Sequence, residues 1–230
     1  MSAEEIPAAG RSPFLGVQFP SMARQRETAK LGTWLFLGSE VLFFGGLFTA
    51  YAVFRANHPD LFHYAHHFLD RRLGALNTTV LIGSSLSAAW AVRAAQRDEQ
   101  RGLRAALLVT LALAGVFMGV KALEYGHKLH NGIVWGAGYR PSAEILAALP
   151  EAARAATPDH VGVFYSIYYL MTGLHGIHVL VGMGLYLWLW RRARAGHFGP
   201  GYYVPVDMVA LYWHIVDMIW IFLFPLFYLV

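Results

Sequence analysis

The chain has 230 residues, of which 57% are hydrophobic and only 14% charged. Soluble domains run near 25% charged, so a soluble enzyme or a nucleic-acid-binding domain is excluded and an integral membrane protein is expected. The formal net charge of +4 reads as loop Lys and Arg that set orientation, and the absence of cysteine excludes disulfides and thiolate metal sites.

Residues 1–30 are polar, Pro-containing and basic toward their end, with Arg24, Arg26 and Lys30. They lack the apolar core of a cleaved signal peptide and are expected to form a flexible cytoplasmic segment. The remainder, 31–230, is expected to be one transmembrane domain. An apolar run of about 20 residues is enough to cross a bilayer as a helix, and five such runs are present, at about 31–54, 73–95, 103–125, 161–190 and 206–230. The fold class is therefore all-α, a polytopic bundle of five transmembrane helices. The connection at 55–72 holds His58, His63, His66 and His67 and reads as a solvated loop. The third span carries Gly115 and Gly119, and the fourth Gly173, Gly176, Gly182 and Gly184. Such small residues are expected to admit neighbouring helices closely. The connection at 126–160 includes an Ala-rich stretch, 142–156, that reads as a short surface helix broken by Pro150.

Lys and Arg divide unevenly between the two sides. Four lie in the N-terminal segment (Arg11, Arg24, Arg26, Lys30), four between the second and third spans (Arg93, Arg97, Arg101, Arg104) and three between the fourth and fifth (Arg191, Arg192, Arg194). The opposite side has Arg55, Arg71, Arg72, Lys128, Arg140 and Arg154. The positive-inside rule puts the N-terminus in the cytoplasm and the C-terminus outside, as five spans require.

Ionisable groups at membrane depth cost roughly 2.5–3.5 kcal/mol each on insertion scales and persist by facing the bundle. Here they are Glu40, His175, His178, His214 and Asp217, with Lys121 and Glu124 nearer an end. His175 and His178 share one helix face, as do His214 and Asp217, because residues three apart are neighbours. At about 1.5 Å per residue, Glu40, His178, His214 and Asp217 fall at one level, about 12–18 Å from the cytoplasmic boundary. One hydrogen-bonded layer joining the first, fourth and fifth spans is expected. From residue types alone the layer could be register-fixing glue, a proton relay or a ligand set for metal or haem. Tyr165, Tyr168, Tyr169, Tyr202 and Tyr203 read as interfacial belts, and Arg191, Arg192 and Arg194 as orientation charges with a second use toward phospholipid head groups.

Five ordered motifs carry a resemblance. SEVLFFGGLFTAY (39–51), LNTTVLIGSSLS (76–87), KALEY (121–125), TGLHGIHVLVG (172–182) and YWHIVDMIWIFLFPLFY (212–228) resemble, in order, motifs of subunit III of the haem–copper cytochrome c oxidases. The resemblance implies a non-catalytic accessory subunit beside the catalytic subunit I of a bacterial-type inner-membrane respiratory oxidase. That complex would translocate protons in aerobic electron transport. The chain itself would hold no redox centre, haem and copper residing in partner subunits, so the metal reading recedes. The role implied is to stabilise the oxidase during turnover and to support proton uptake through the layer containing Glu40. Bound phospholipid is implied as well, with Arg192 and His197 at the positions that serve lipid head groups. A quinol oxidase, a nitric-oxide-reductase-associated homologue or an independent proton-conducting protein are the alternatives, and a larger respiratory supercomplex is a possible setting. Longer members of the family have seven spans; the first two have no counterpart here, so another chain would complete the lipid cleft. The 126–160 connection is longer than usual in the family and would be a partner contact.

Overall fold

The computed structural model describes residues 13–147, 149–151, 154 and 158–229. Residues 1–12 of the N-terminal segment and part of the 142–156 stretch lie outside it. Seven α-helices are described: α1 (Met22–Asn57), α2 (Pro59–Ala65), α3 (Arg71–Gln96), α4 (Gln100–His130), α5 (Ala143–Ala147), α6 (Val161–Arg194) and α7 (Val204–Tyr228). Five of them, α1, α3, α4, α6 and α7, are long and apolar enough to cross a membrane, which gives an all-α, multi-pass bundle.

Helix starts follow local chemistry. α1 begins at Met22, well before residue 31, because Ser21 is extended and its Oγ accepts the Arg24 amide at 3.2 Å. That bond satisfies one of the free donors of a first turn, so the basic stretch from Arg24 to Lys30 is helical rather than flexible. Asp70 caps α3 in the same way, its Oδ1 accepting the amides of Arg72 and Leu73 at 2.8 and 3.2 Å. The 55–72 connection is not a simple solvated loop. It forms α2 and a 3₁₀ turn, His66–Phe68, and buries Leu61, Phe62, Tyr64 and Ala65 against the bundle. Of the 142–156 stretch, Ala143–Ala147 is helical.

Four helices close a ring: α3 packs on α4, α4 on α6, α6 on α7 and α7 on α3. α1 leans on the outside of this ring, chiefly against α7. Its most apolar stretch is 17% buried, against 50% for α7, so α7 is the helix around which the others pack. Polar stitches cross the ring. Trp213 Nε1 donates to Ser84 Oγ at 2.9 Å and Trp220 Nε1 to Thr78 Oγ1 at 3.1 Å, joining α7 to α3. Thr110 and Ser87 join α4 to α3 at 3.0 Å. Between lipid-embedded helices, where apolar burial drives little association, such bonds and close packing carry the specificity, typically about 0.6–2 kcal/mol per bond. Tyr51 of α1 donates to the Leu226 carbonyl in the last turn of α7, one of the carbonyls a helix end leaves unpaired.

Of the small residues expected at helix contacts, Gly182 takes a neighbour. A Cβ there would sit 2.5 Å from Trp213 Cζ3, so only glycine lets the indole pass. Among the described residues, Gly115, Gly119, Gly173, Gly176 and Gly184 have no neighbouring atom within 4 Å of that position. The GxxxG pair therefore faces away from the bundle: spacing puts two glycines on one face but does not choose which face a neighbour covers.

Candidate functional site

The expected polar layer divides into three separate groups. In the first, Glu40 Oε2 of α1 lies 2.9 Å from His178 Nε2 of α6. The other ring nitrogen, Nδ1, lies 2.8 Å from the Leu174 carbonyl. A carbonyl only accepts, so Nδ1 carries a hydrogen. The bond to Glu40 then needs a single proton between the partners: a carboxylic acid donating to a neutral ring, or an imidazolium donating to a carboxylate. Either way the pair holds one exchangeable proton and no net charge. Tyr212 of α7 fixes this turn by donating to the His178 carbonyl at 2.9 Å, and the Phe44 ring stands edge-on to the imidazole at 5.3 Å. The pair is not sealed, since the two side chains are 19% and 17% exposed. It lies on the wall of a groove of about 630 Å³ between α1, α6 and α7, lined also by Gly32, Thr33, Phe36, Ile177 and Met208.

In the second group, His214 of α7 turns to α3, where Ser85 Oγ lies 2.6 Å from its Nδ1. Ser85 is also the polar neighbour of the buried Asp217 carboxylate. The expectation that α7 would hand these side chains to α1 and α6 is corrected: α3 is the nearer helix on that face. The third group is His175 alone. It is fully buried, with Phe117 at 5.7 Å and Trp220 at 5.4 Å, and neither ring nitrogen has a hydrogen-bond partner among the described residues. His175 and His178 thus share a face only loosely, one aimed into the ring and the other at α1. Among the described residues no three His, Asp or Glu side chains converge on one point, the loop histidines included.

The densest polar cluster lies elsewhere, toward the C-terminal end of α4. Glu124 Oε2 accepts from Lys121 Nζ at 2.9 Å, and Oε1 accepts from Lys128 Nζ at 2.6 Å, from Tyr228 Oη at 2.6 Å and from Tyr168 Oη at 2.9 Å. Lys121 Nζ donates further to Tyr168 and Tyr228 at 3.1 and 3.0 Å. This ties α4, α6 and α7 together. Lys128, counted from the sequence as a loop charge, is 2% exposed. Tyr165 and Tyr168, expected in an interfacial belt, are fully buried. One signal could have found the cluster: Lys121, Glu124 and Lys128 sit at i, i+3 and i+7, along one helix face. Nothing local marks Tyr168 or Tyr228 as their partners, or Ser85 as the partner of His214.

Arg192 and His197 lie at the opposite end of α6. The Arg192 guanidinium stacks over the Trp188 ring at 5.2 Å. His197 Nδ1 lies 3.1 Å from the Arg192 carbonyl, and the Phe14 ring stands edge-on to the imidazole at 6.2 Å. Both side chains are partly exposed.

Fold and clusters together define a class: a polytopic α-helical membrane protein that keeps paired ionisable side chains between its helices. The chain belongs to the cytochrome c oxidase subunit III family, whose family profile, "Cytochrome c oxidase subunit III", matches residues 20–136 and 149–230. It is 34% identical to the cytochrome c oxidase subunit 3 of Thermostichus vulcanus over 200 residues, covering 86% of each chain. It is 28% identical to that of Corynebacterium diphtheriae over 226 residues, covering 97% of this chain and 98% of the relative. Against that of Loxodonta africana the match is 29% over 205 residues, covering 86% of this chain and 68% of the longer relative. The break at 137–148 falls inside the connection read as longer than usual. Membership of this family implies an oxidase complex.

Proposed function

We propose that the chain is the non-catalytic accessory subunit of a respiratory haem–copper oxidase, and that it stabilises the catalytic subunit and supports proton uptake from the cytoplasmic side. The Glu40–His178 pair, at 2.9 Å and open to a groove, is the observation that carries the proton part. It holds one transferable proton at the mid-level of α1 and α6, between the end that the charge count of the loops reads as cytoplasmic and the opposite end. Haem and copper belong to the partner subunits on this reading, with catalytic subunit I the neighbour in the membrane. The stacked Arg192 guanidinium and the adjacent His197 imidazole present two donors at the cytoplasmic end of α6, suited to a phospholipid phosphate. Orientation with the N-terminus inside and the C-terminus outside follows the same charge asymmetry.

Glu40→Gln tests the proton role in the purified oxidase. The amide keeps the shape but cannot hold the shared proton. Faster inactivation during turnover, or slower proton uptake, with the subunit still present at wild-type stoichiometry is expected. Unchanged kinetics in that variant would leave the pair as packing alone.

A further inference from the structure

A second cavity, of about 620 Å³, lies against the Lys121–Glu124–Lys128 cluster at the other end of the bundle from Arg192 and His197. His67, Asp70, Glu124, His127 and Lys128 supply its polar wall, and Leu123 and Ile145 part of its apolar wall. Its size is within the roughly 300–1,000 Å³ of small-molecule sites.

The charge count inside the cluster does not close. Glu124 is the one carboxylate between two ammonium groups, and both its oxygens are taken. One positive charge is left over. Lys121 is fully used, with three hydrogen bonds for three N–H groups. Among the described residues Lys128 has one, to Glu124, and it sits over the Tyr168 ring at 5.2 Å. A buried ammonium with an unused donor is costly until an acceptor reaches it, and the space beside it is this cavity. On the rim, Asp70 commits Oδ1 to capping α3 and acts electrostatically on Lys128. The cup therefore offers a cationic donor on its floor and an anionic oxygen at its mouth. Leu123, 74% exposed, lines it on the lipid-facing side.

We propose that this cup binds the phosphate ester of a zwitterionic, ethanolamine-type phospholipid head group, with the phosphate on Lys128 and the ammonium on Asp70. Both charges of such a head group find the opposite charge, and its acyl chains leave along Leu123. An anionic lipid would leave Asp70 opposed to a like charge, and a choline group cannot donate a hydrogen bond to it. The cup lies where the last turn of a spanning helix meets the head-group region, which makes a membrane lipid the source.

The test counts phospholipids retained by the intact detergent-purified oxidase, using native mass spectrometry after exchange into mixed phosphatidylcholine–phosphatidylethanolamine nanodiscs. Wild type and Lys128→Arg are expected to keep one more phosphatidylethanolamine per chain than Lys128→Met. Ile145→Trp fills the cup without touching a charge and is expected to lose the same lipid, so the test survives if Lys128→Met fails to assemble. Equal retention in all four proteins overturns the proposal. Displacement of that lipid by millimolar glycerophosphoethanolamine would overturn the membrane source and assign the cup to a soluble phosphate ester.

Discussion

Replacing Glu124 by Gln removes the one anion between two buried ammonium groups while keeping the side chain's shape. In the wild type its carboxylate accepts four hydrogen bonds, two from Lys121 and Lys128 and two from Tyr168 and Tyr228. The amide keeps one acceptor oxygen and turns an N–H toward one of the ammonium groups. Charge-assisted bonds contribute about 1.5–3 kcal/mol each, and breaking a buried pair by removing one partner costs about 3–5 kcal/mol. Some of this is recovered, because the surviving carbonyl still accepts and one lysine can release its proton. A net loss of about 3–5 kcal/mol is expected. The helices stay inserted, so the loss falls on the contacts of α4 with α6 and α7 rather than on the spans themselves. At about 2–4 °C per kcal/mol for a chain of this size, the midpoint for thermal release of the subunit from the detergent-solubilised oxidase should drop by roughly 10 °C. The cluster is shielded from solvent, so the drop should be the same in low and high salt, unlike that from a surface pair. A midpoint within about 2 °C of wild type would refute the claim that this cluster holds the bundle, and a drop that disappears in high salt would refute its burial.

Gly182→Ala should force the Trp213 indole out of place and cost about 1–3 kcal/mol, read as the same thermal release. Gly173→Ala, where nothing approaches within 4 Å, should leave the midpoint unchanged, and equal effects would show that the α6–α7 approach is misplaced. Ser85→Ala removes the partner of the half-buried His214 and is expected to cost about 1 kcal/mol, the low end for an unsatisfied polar group. If its effect adds to that of Glu40→Gln without coupling in a double-mutant cycle, the two polar groups are independent, as their separate helices imply. Strong coupling would restore a single connected layer.

The candidate site was half legible before folding. Glu40 and His178 were marked by a simple argument, since an ionisable group at membrane depth must find a partner, and depth can be counted at 1.5 Å per residue. Depth gives no azimuth. His214 and Asp217 lie at the right level but face α3, and His175 faces Phe117 and Trp220. The reverse error occurred with Lys128 and Tyr168. Position near a span end suggested solvent or interface, but Lys128 folds back onto Glu124 and the Tyr168 ring, and α2 packs against α6.

The sequence by itself determined that this protein is a five-span helical bundle, its family, and which side chains could not face lipid. Those follow from composition, run length and ordered motifs, which are properties of the chain one residue at a time. Only the tertiary structure decided which helix neighbours which, that α1 stands outside a ring of four, that the strongest polar cluster is Lys121–Glu124–Lys128, and that one of its ammonium groups opens on a cavity. These depend on the rotation of each helix about its own axis. In a membrane that rotation is set by pairwise fit and hydrogen bonds between helices, because lipid and apolar side chains solvate one another almost equally well.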